Sequence, residues 1–316
     1  MRSETSDIAI ELSMQPWRAF KPDGVIMFSD ILTPLPALGI EFDVVKGKGP
    51  VIPDAIRTMD QVKKLKTMDD PTSSLPFVAE TLKALRQEVD GQSTVLGFIG
   101  TPWTLAAYAM EGKADKHCMK TKTIMHNTPE VLHAFLDHLT EALIEYACYQ
   151  IQAGAQVVQL FDSWAHHLSP AQFTEFSMPY AERVIAGVKA RHPETPLIFH
   201  ANGGTGKMLE MRDTQADVIG LDWGTEMDQA RAALGTGRTV QGNVDPMVLF
   251  GTEDAIRAEV ARCLRQAGPR GHILNVGHGV AQGTPEENVK LFCQLAHESG
   301  EFFQKEGLSA PAKALA

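Results

Sequence analysis

Seven short apolar runs, each ending in polar residues, constrain this sequence more than any other feature. Gly24-Val25-Ile26-Met27-Phe28 leads into Ser29-Asp30, Thr94-Val95-Leu96-Gly97-Phe98-Ile99-Gly100 into Thr101-Pro102-Trp103, and Val157-Val158-Gln159-Leu160-Phe161 into Asp162-Ser163-Trp164. Leu197-Ile198-Phe199 ends in His200-Ala201-Asn202, and Val218-Ile219-Gly220-Leu221 in Asp222-Trp223. Thr239-Val240-Gln241 ends in Gly242-Asn243-Val244-Asp245-Pro246, and His272-Ile273-Leu274-Asn275-Val276 in Gly277-His278-Gly279. Apolar runs without alternation mark strands buried on both faces, the habit of parallel sheets.

Helical patterns fill the intervals. Thr128 is placed to cap a helix with Pro129 at its first position, apolar residues recurring at Leu132, Phe135, Leu139, Leu143 and Tyr146, and Gly154 stopping it. Ser169-Pro170 opens another helix, and Thr284-Pro285-Glu286-Glu287 has a capping-box pattern for a last one ending near Gly300. Strands alternating with helices predict parallel pairing through right-handed crossovers, hence an α/β barrel whose C-terminal strand ends carry the chemistry. Asp30, at the first of those ends, is the leading candidate. Residues 40–52, with Gly47-Lys48-Gly49-Pro50 inside, suggest a small hairpin or flap. A closed barrel needs eight strands and the sequence supplies seven. Residues 8–20 already have helical spacing, so the chain is expected to be a TIM barrel lacking its first strand. Residues 1–306 are expected to form one domain, with 307–316 a disordered tail.

Composition narrows the function classes. A net charge of -10 argues against nucleic acid as the main partner. No apolar run reaches the roughly 18 residues of a membrane span. Cys118, Cys148, Cys263 and Cys293 lie far apart with no CxxC pair, as expected of reduced thiols. No secretory or Arg-rich transit segment is visible at the start, which leaves cytoplasm and chloroplast stroma both open.

Gly97-Phe98-Ile99-Gly100-Thr101-Pro102-Trp103-Thr104-Leu105, followed by Tyr108 and Glu111-Gly112, resembles a signature of the uroporphyrinogen decarboxylase family. Phe28-Ser29-Asp30-Ile31-Leu32, Gln241-Gly242-Asn243-Val244-Asp245-Pro246 and Gly277-His278-Gly279 resemble further blocks of that family, in its order and spacing. The resemblance covers residues 3–296 and is nearest to the forms from plants, algae and cyanobacteria. It implies decarboxylation of the four acetate side chains of uroporphyrinogen III to methyl groups, giving coproporphyrinogen III without metal or organic cofactor, by a homodimer. It also implies that Asp30 accepts hydrogen bonds from the pyrrole N–H groups, that Tyr108, Ser163 and His278 line the substrate site, and that Phe28 and Phe161 form its apolar wall.

Each residue also has a plainer reading. Asp30 could cap the turn before Thr33-Pro34, and Tyr108 could be an ordinary buried tyrosine. Ser163 could be a turn cap, His278 a satisfied structural histidine, and the two phenylalanines core. Asp162 with His166 and His167 suggests a metal cluster, but adjacent histidines point apart on helix and strand alike. The family's first strand ends in a Met-Arg-Gln-Ala-Gly-Arg-Tyr stretch whose arginines bind propionates, and no such stretch occurs here. Arg2, Arg18, Lys21, Lys46 and Lys48 are the nearest cations. Two alternatives follow: an N-terminally incomplete enzyme, or a catalytically impaired tetrapyrrole-binding paralogue. A zinc methyltransferase of the same superfamily is a third. Its His-x-Cys pair would fall at His200-Ala201-Asn202, where Asn202 replaces the thiolate ligand.

Overall fold

The computed structural model describes residues 5–308 other than Lys46, Lys48 and Thr236. Seven parallel strands form one sheet: β1 (Gly24–Ile26), β4 (Thr94–Gly100), β5 (Val157–Asp162), β6 (Leu197–Ala201), β7 (Val218–Gly220), β8 (Thr239–Val244) and β9 (His272–Val276), in that spatial order. The two remaining strands, β2 (Asp43–Val45) and β3 (Gly49–Val51), pair antiparallel as the hairpin predicted over 40–52. Each long sheet strand coincides with one apolar run, because both faces are covered: helices outside, side chains of the opposite wall inside.

The sheet curls into an open barrel. Gln241 of β8 donates from Nε2 across the interior to Oε1 of Gln159 of β5 at 3.2 Å. Outside, the helix Ser6–Phe20 packs on Glu286–His297, so the helical ring closes beyond the two edge strands. Among the described residues no strand lies between β1 and β9. Alternation makes the consequence visible: Val25 and Met27 are buried toward the helices, whereas Ile26, Phe28 and Ile273 face inward and are exposed to 40% or more.

The helix Pro129–Gln152 buries the spacing read from sequence, with Leu132, Phe135, Leu139, Leu143 and Tyr146 inside against Pro102–Glu111 and Met178–Arg191. Thr128 occupies its N-cap position but makes no side-chain cap. The helix expected after Ser169-Pro170 is two, Pro170–Phe176 and Met178–Arg191, the first closed by a Ser169/Gln172 capping box. The expected capping box at Thr284 is not formed. The last helices are Glu286–His297 and Ser299–Lys305, and the Thr284 hydroxyl instead donates to the Ala281 carbonyl at 2.7 Å. Of the tail predicted over 307–316, Gly307 and Leu308 close the final turn, the Leu308 N–H donating to the Phe303 carbonyl at 2.9 Å. The remainder lies outside the described residues. No helix among the described residues is long and apolar enough to cross a membrane.

One buried carboxylate joins three elements behind the barrel mouth. Asp162 at the end of β5 is fully buried and accepts from the Thr101 and Thr104 hydroxyls, each at 2.8 Å, and from the Ser177 hydroxyl. Burial raises its pKa, while the three hydroxyls and the Lys207 ammonium pull the other way. Replacing Asp162 by Ala orphans three buried hydroxyls, and the expected loss of unfolding free energy is about 3 kcal/mol. A denaturant midpoint equal to that of the parent chain would show that the node is not structural.

Candidate active site

The residues expected at the site gather at the C-terminal mouth of the sheet. Asp30 lies just past β1, half-buried, in a turn where the Leu32 N–H donates to Oδ1 at 2.8 Å and the Thr33 N–H to the Asp30 carbonyl at 3.0 Å. The turn-capping reading is therefore realised, but it occupies one carboxylate oxygen only. Burial raises the Asp30 pKa above its ordinary 3.8, and the Leu32 hydrogen bond opposes that shift. The neighbouring Ser29 hydroxyl bonds Thr33 at 2.7 Å, which fixes the loop. Phe28 is exposed toward the interior and is not core, its N–H donating to the Ser13 hydroxyl at 2.7 Å.

Two of the sequence blocks lock together to form one wall. Thr101 caps the helix Pro102–Glu111 through the Thr104 N–H and at the same time donates to Asp162. The Trp103 indole N–H donates to the Trp164 carbonyl at 3.1 Å, and the Trp164 N–H donates to the Thr104 hydroxyl at 3.2 Å. Gly97 is needed because Gln150 spans its neighbour, bonding both the N–H and carbonyl of Phe98 at 2.9 Å; a Cβ at Gly97 would meet Gln150 at 2.3 Å. This framework presents Tyr108, half-buried, with its ring 4.5 Å from Trp164. Ser163 precedes Trp164 on the loop after β5. Its carbonyl accepts from the Asn202 amide at 3.2 Å, and its hydroxyl meets no partner among the described residues.

Aromatic rings continue the wall across the strands. Phe98 and Phe161 meet edge to face at 5.8 Å, and Phe161 meets His200 at 5.9 Å. His200 is buried and its ring fills the space over Gly220, where a Cβ would lie 2.8 Å from the His200 side chain. Burial pushes its pKa down to about 4, with Asp222 opposing and His278 adding to the shift, so the imidazole is neutral at pH 7. Asp222 is held by the backbone N–H groups of Gly204 at 3.0 Å and Gly224 at 2.9 Å. His278 is exposed at the opposite edge, its ring 6.0 Å from that of Trp223. Its Nδ1 accepts from the Gly279 N–H at 2.8 Å, and Nε2 has no hydrogen-bond partner among the described residues.

The two glycines around His278 do different work from one another. A Cβ on Gly277 would fall 2.4 Å from the Trp223 nitrogen, so this glycine admits another stretch of backbone. Gly279 has open space around it. His200, Asp222 and Trp223 were legible only as strand ends. The clue to their convergence is Gly220, which clears room for a ring on the adjacent strand.

Cations and metal ligands fall elsewhere. Arg18 pairs with Glu11 at 2.7 Å on the exposed outer helix, and Lys21 sits 3.3 Å over the Trp17 ring. Arg2, Lys46 and Lys48 lie outside the described residues. Asp162 is turned into its hydroxyl network, away from His166 and His167. No group of three His, Cys, Asp or Glu among the described residues is arranged to hold a metal ion. Asn202, at the position of a thiolate ligand in the methyltransferase reading, serves as a clamp on Ser163.

Similarity to known proteins agrees with this arrangement. Residues 2–299 match the model of the family described as Uroporphyrinogen decarboxylase (URO-D). The uroporphyrinogen decarboxylase of Crocosphaera subtropica is 54% identical over 297 residues, covering 94% of this chain and 84% of that one. The protein of the same name from a Picosynechococcus species is 53% identical over 301 residues, with 95% and 86% covered. Among solved structures, a methyltransferase from Methanosarcina mazei superposes with a TM-score of 0.80 at 22% identity, over 93% of this chain and 86% of that one. That likeness is one of fold. The chain belongs to the uroporphyrinogen decarboxylase family.

Proposed function

We propose that this chain decarboxylates uroporphyrinogen III, converting its four acetate side chains to methyl groups, and that Asp30 is the catalytic carboxylate. The observation that carries the assignment is the half-tied Asp30. One oxygen is pinned by the Leu32 N–H, while the other takes no hydrogen bond among the described residues, and the exposed Phe28 lies two residues before it, likewise just past β1. A carboxylate oriented in advance on an apolar wall stabilises positive charge far better than water does.

The chemistry follows from that placement. Protonation of a pyrrole α-carbon makes the ring an iminium-like electron sink. The acetate C–C bond then breaks toward the ring and carbon dioxide leaves, a proton adds to the exocyclic carbon to complete the methyl group, and the proton first placed on the ring α-carbon departs to restore the pyrrole. Each cycle consumes one proton and releases one carbon dioxide. Asp30 accepts the pyrrole N–H hydrogen bonds throughout and holds the cation. The Ser163 and Tyr108 hydroxyls and the His278 Nε2 are of the right type to receive substrate carboxylates, and the aromatic row gives the macrocycle an apolar face. Relatives named uroporphyrinogen decarboxylase, similar over nearly the whole chain, support this reading. The catalytically impaired paralogue and the zinc methyltransferase compete with it. Purified chain that bound uroporphyrin without turnover would favour the former, and stoichiometric zinc the latter.

The family likeness extends the proposal to a homodimer, and to cytoplasm or, in a photosynthetic eukaryote, chloroplast stroma. Light scattering is expected to give a mass twice that of one chain, and a monomer at every concentration would contradict the dimer.

Asp30→Asn is expected to fold normally and to lose turnover of uroporphyrinogen III by about 100-fold or more under anaerobic assay. Tyr108→Phe and His278→Asn should lose less, chiefly as a higher KM. The Asp30 pKa is raised and its ionised form is the active one, so the parent rate should fall as pH drops through a value above 3.8. Near-parental turnover by Asp30→Asn would refute the electrostatic role.

A further inference from the structure

We infer that a basic collar beside the mouth, residues 113–126, is a carboxylate-gathering site through which the polyanionic substrate enters and is held. The segment carries Lys113, Lys116, Lys120 and Lys122 with His117 and His126, against the single carboxylate Asp115, in a chain of net charge -10. None of these lysines forms an ion pair with a carboxylate among the described residues. Asp115 is itself engaged, accepting the His117 N–H at 2.9 Å. The inference rests on the reading of the substrate as a tetrapyrrole polycarboxylate and adds a binding subsite to it.

Geometry joins the collar to the site wall. The helix Met119–Asn127 is pinned at its start by the Thr121 N–H donating at 2.7 Å to the buried Glu111 carboxylate, at the end of the helix that bears Tyr108. An open cavity of about 460 Å³ is lined by His117, Met119, Lys122, Thr123, His126 and Asn127. Burial, then His166, Lys122 and His117, push the His167 pKa down to about 4, so the positive charge of the collar is felt at the loop after β5. The His167 ring lies 5.1 Å from Trp164, and Trp164 lies 4.5 Å from Tyr108. The rings of His167, Trp164 and Tyr108 thus follow one another from the side of the collar to the site wall, with Ser163 next to Trp164 in the chain. An octacarboxylate has more charges than the inner residues can meet, and flexible lysines at a rim suit side chains that differ in length and position.

Fluorescence titration of uroporphyrin III into the full chain tests the collar at low and high salt. The collar variant is Lys116→Gln/Lys120→Gln/Lys122→Gln. The charge-matched control is Lys64→Gln/Lys83→Gln/Lys290→Gln, at exposed positions elsewhere. The collar variant should bind roughly tenfold more weakly at low salt and show a flatter salt dependence, with the control within about twofold of the parent. Equal losses in both variants, or none in either, would overturn the collar while leaving the decarboxylase assignment standing. A parent chain that does not bind uroporphyrin at either salt concentration would overturn that assignment, and the collar with it.

Discussion

A single buried carboxylate organises the mouth of this barrel. Asp162 would be costly where it sits if it were not fully satisfied, since an ionised group without partners inside a protein is penalised by several kcal/mol. Three hydroxyls, from the start of the helix after β4, from that helix's first turn and from the turn before Met178, supply the partners. The same hydroxyls are thereby fixed in place. Through Thr104 and Trp103 they set the loop of Ser163 and Trp164, and through that helix they set Tyr108. Side chains that reach into the mouth are rigid because a residue facing away from it is.

The two ends of the sheet carry the rest of the site. Asp30 follows β1 and His278 follows β9, the two edge strands, while the row Phe98, Phe161 and His200 spans the continuous wall between. The mouth is accordingly divided. Its carboxylate and its outermost imidazole flank the open side, and apolar rings back the closed side. Net acidity makes local cations more important, because a polyanion meets a repulsive average field and must be drawn in by short-range positive charge. The lysines of the 113–126 segment, which form no ion pair with a carboxylate among the described residues, are the cations proposed to supply it.

Fold and site differed in how far the residues revealed them. Strand positions were legible because a strand covered on both faces has an unbroken apolar run, and each of the seven runs became a strand. Capping was less so: Ser169 caps as its spacing suggests, whereas Thr284 turns back to Ala281, since a cap depends on the approach of the preceding chain. Asp30 was legible by position, but that its turn-capping bond takes up only one carboxylate oxygen was not. The Thr101-Pro102-Trp103-Thr104 block looked functional and is largely structural. Its residues clamp the Ser163 loop and hold the Tyr108 ring against Trp164. The His200, Asp222 and His278 grouping draws on three strands and could not be read from any one of them. The role of Gly277, whose missing Cβ admits the Trp223 backbone, likewise emerges only from the fold.

The central claim is that Asp30 binds the pyrrole nitrogens of a tetrapyrrole lying against the aromatic wall. A crystal structure of the chain with coproporphyrinogen, the product, prepared anaerobically, tests it most directly. The account predicts the free Asp30 oxygen about 3 Å from pyrrole nitrogens, with a ring face against Phe161. A macrocycle bound elsewhere, or one meeting Asp30 only through its propionates, would contradict it.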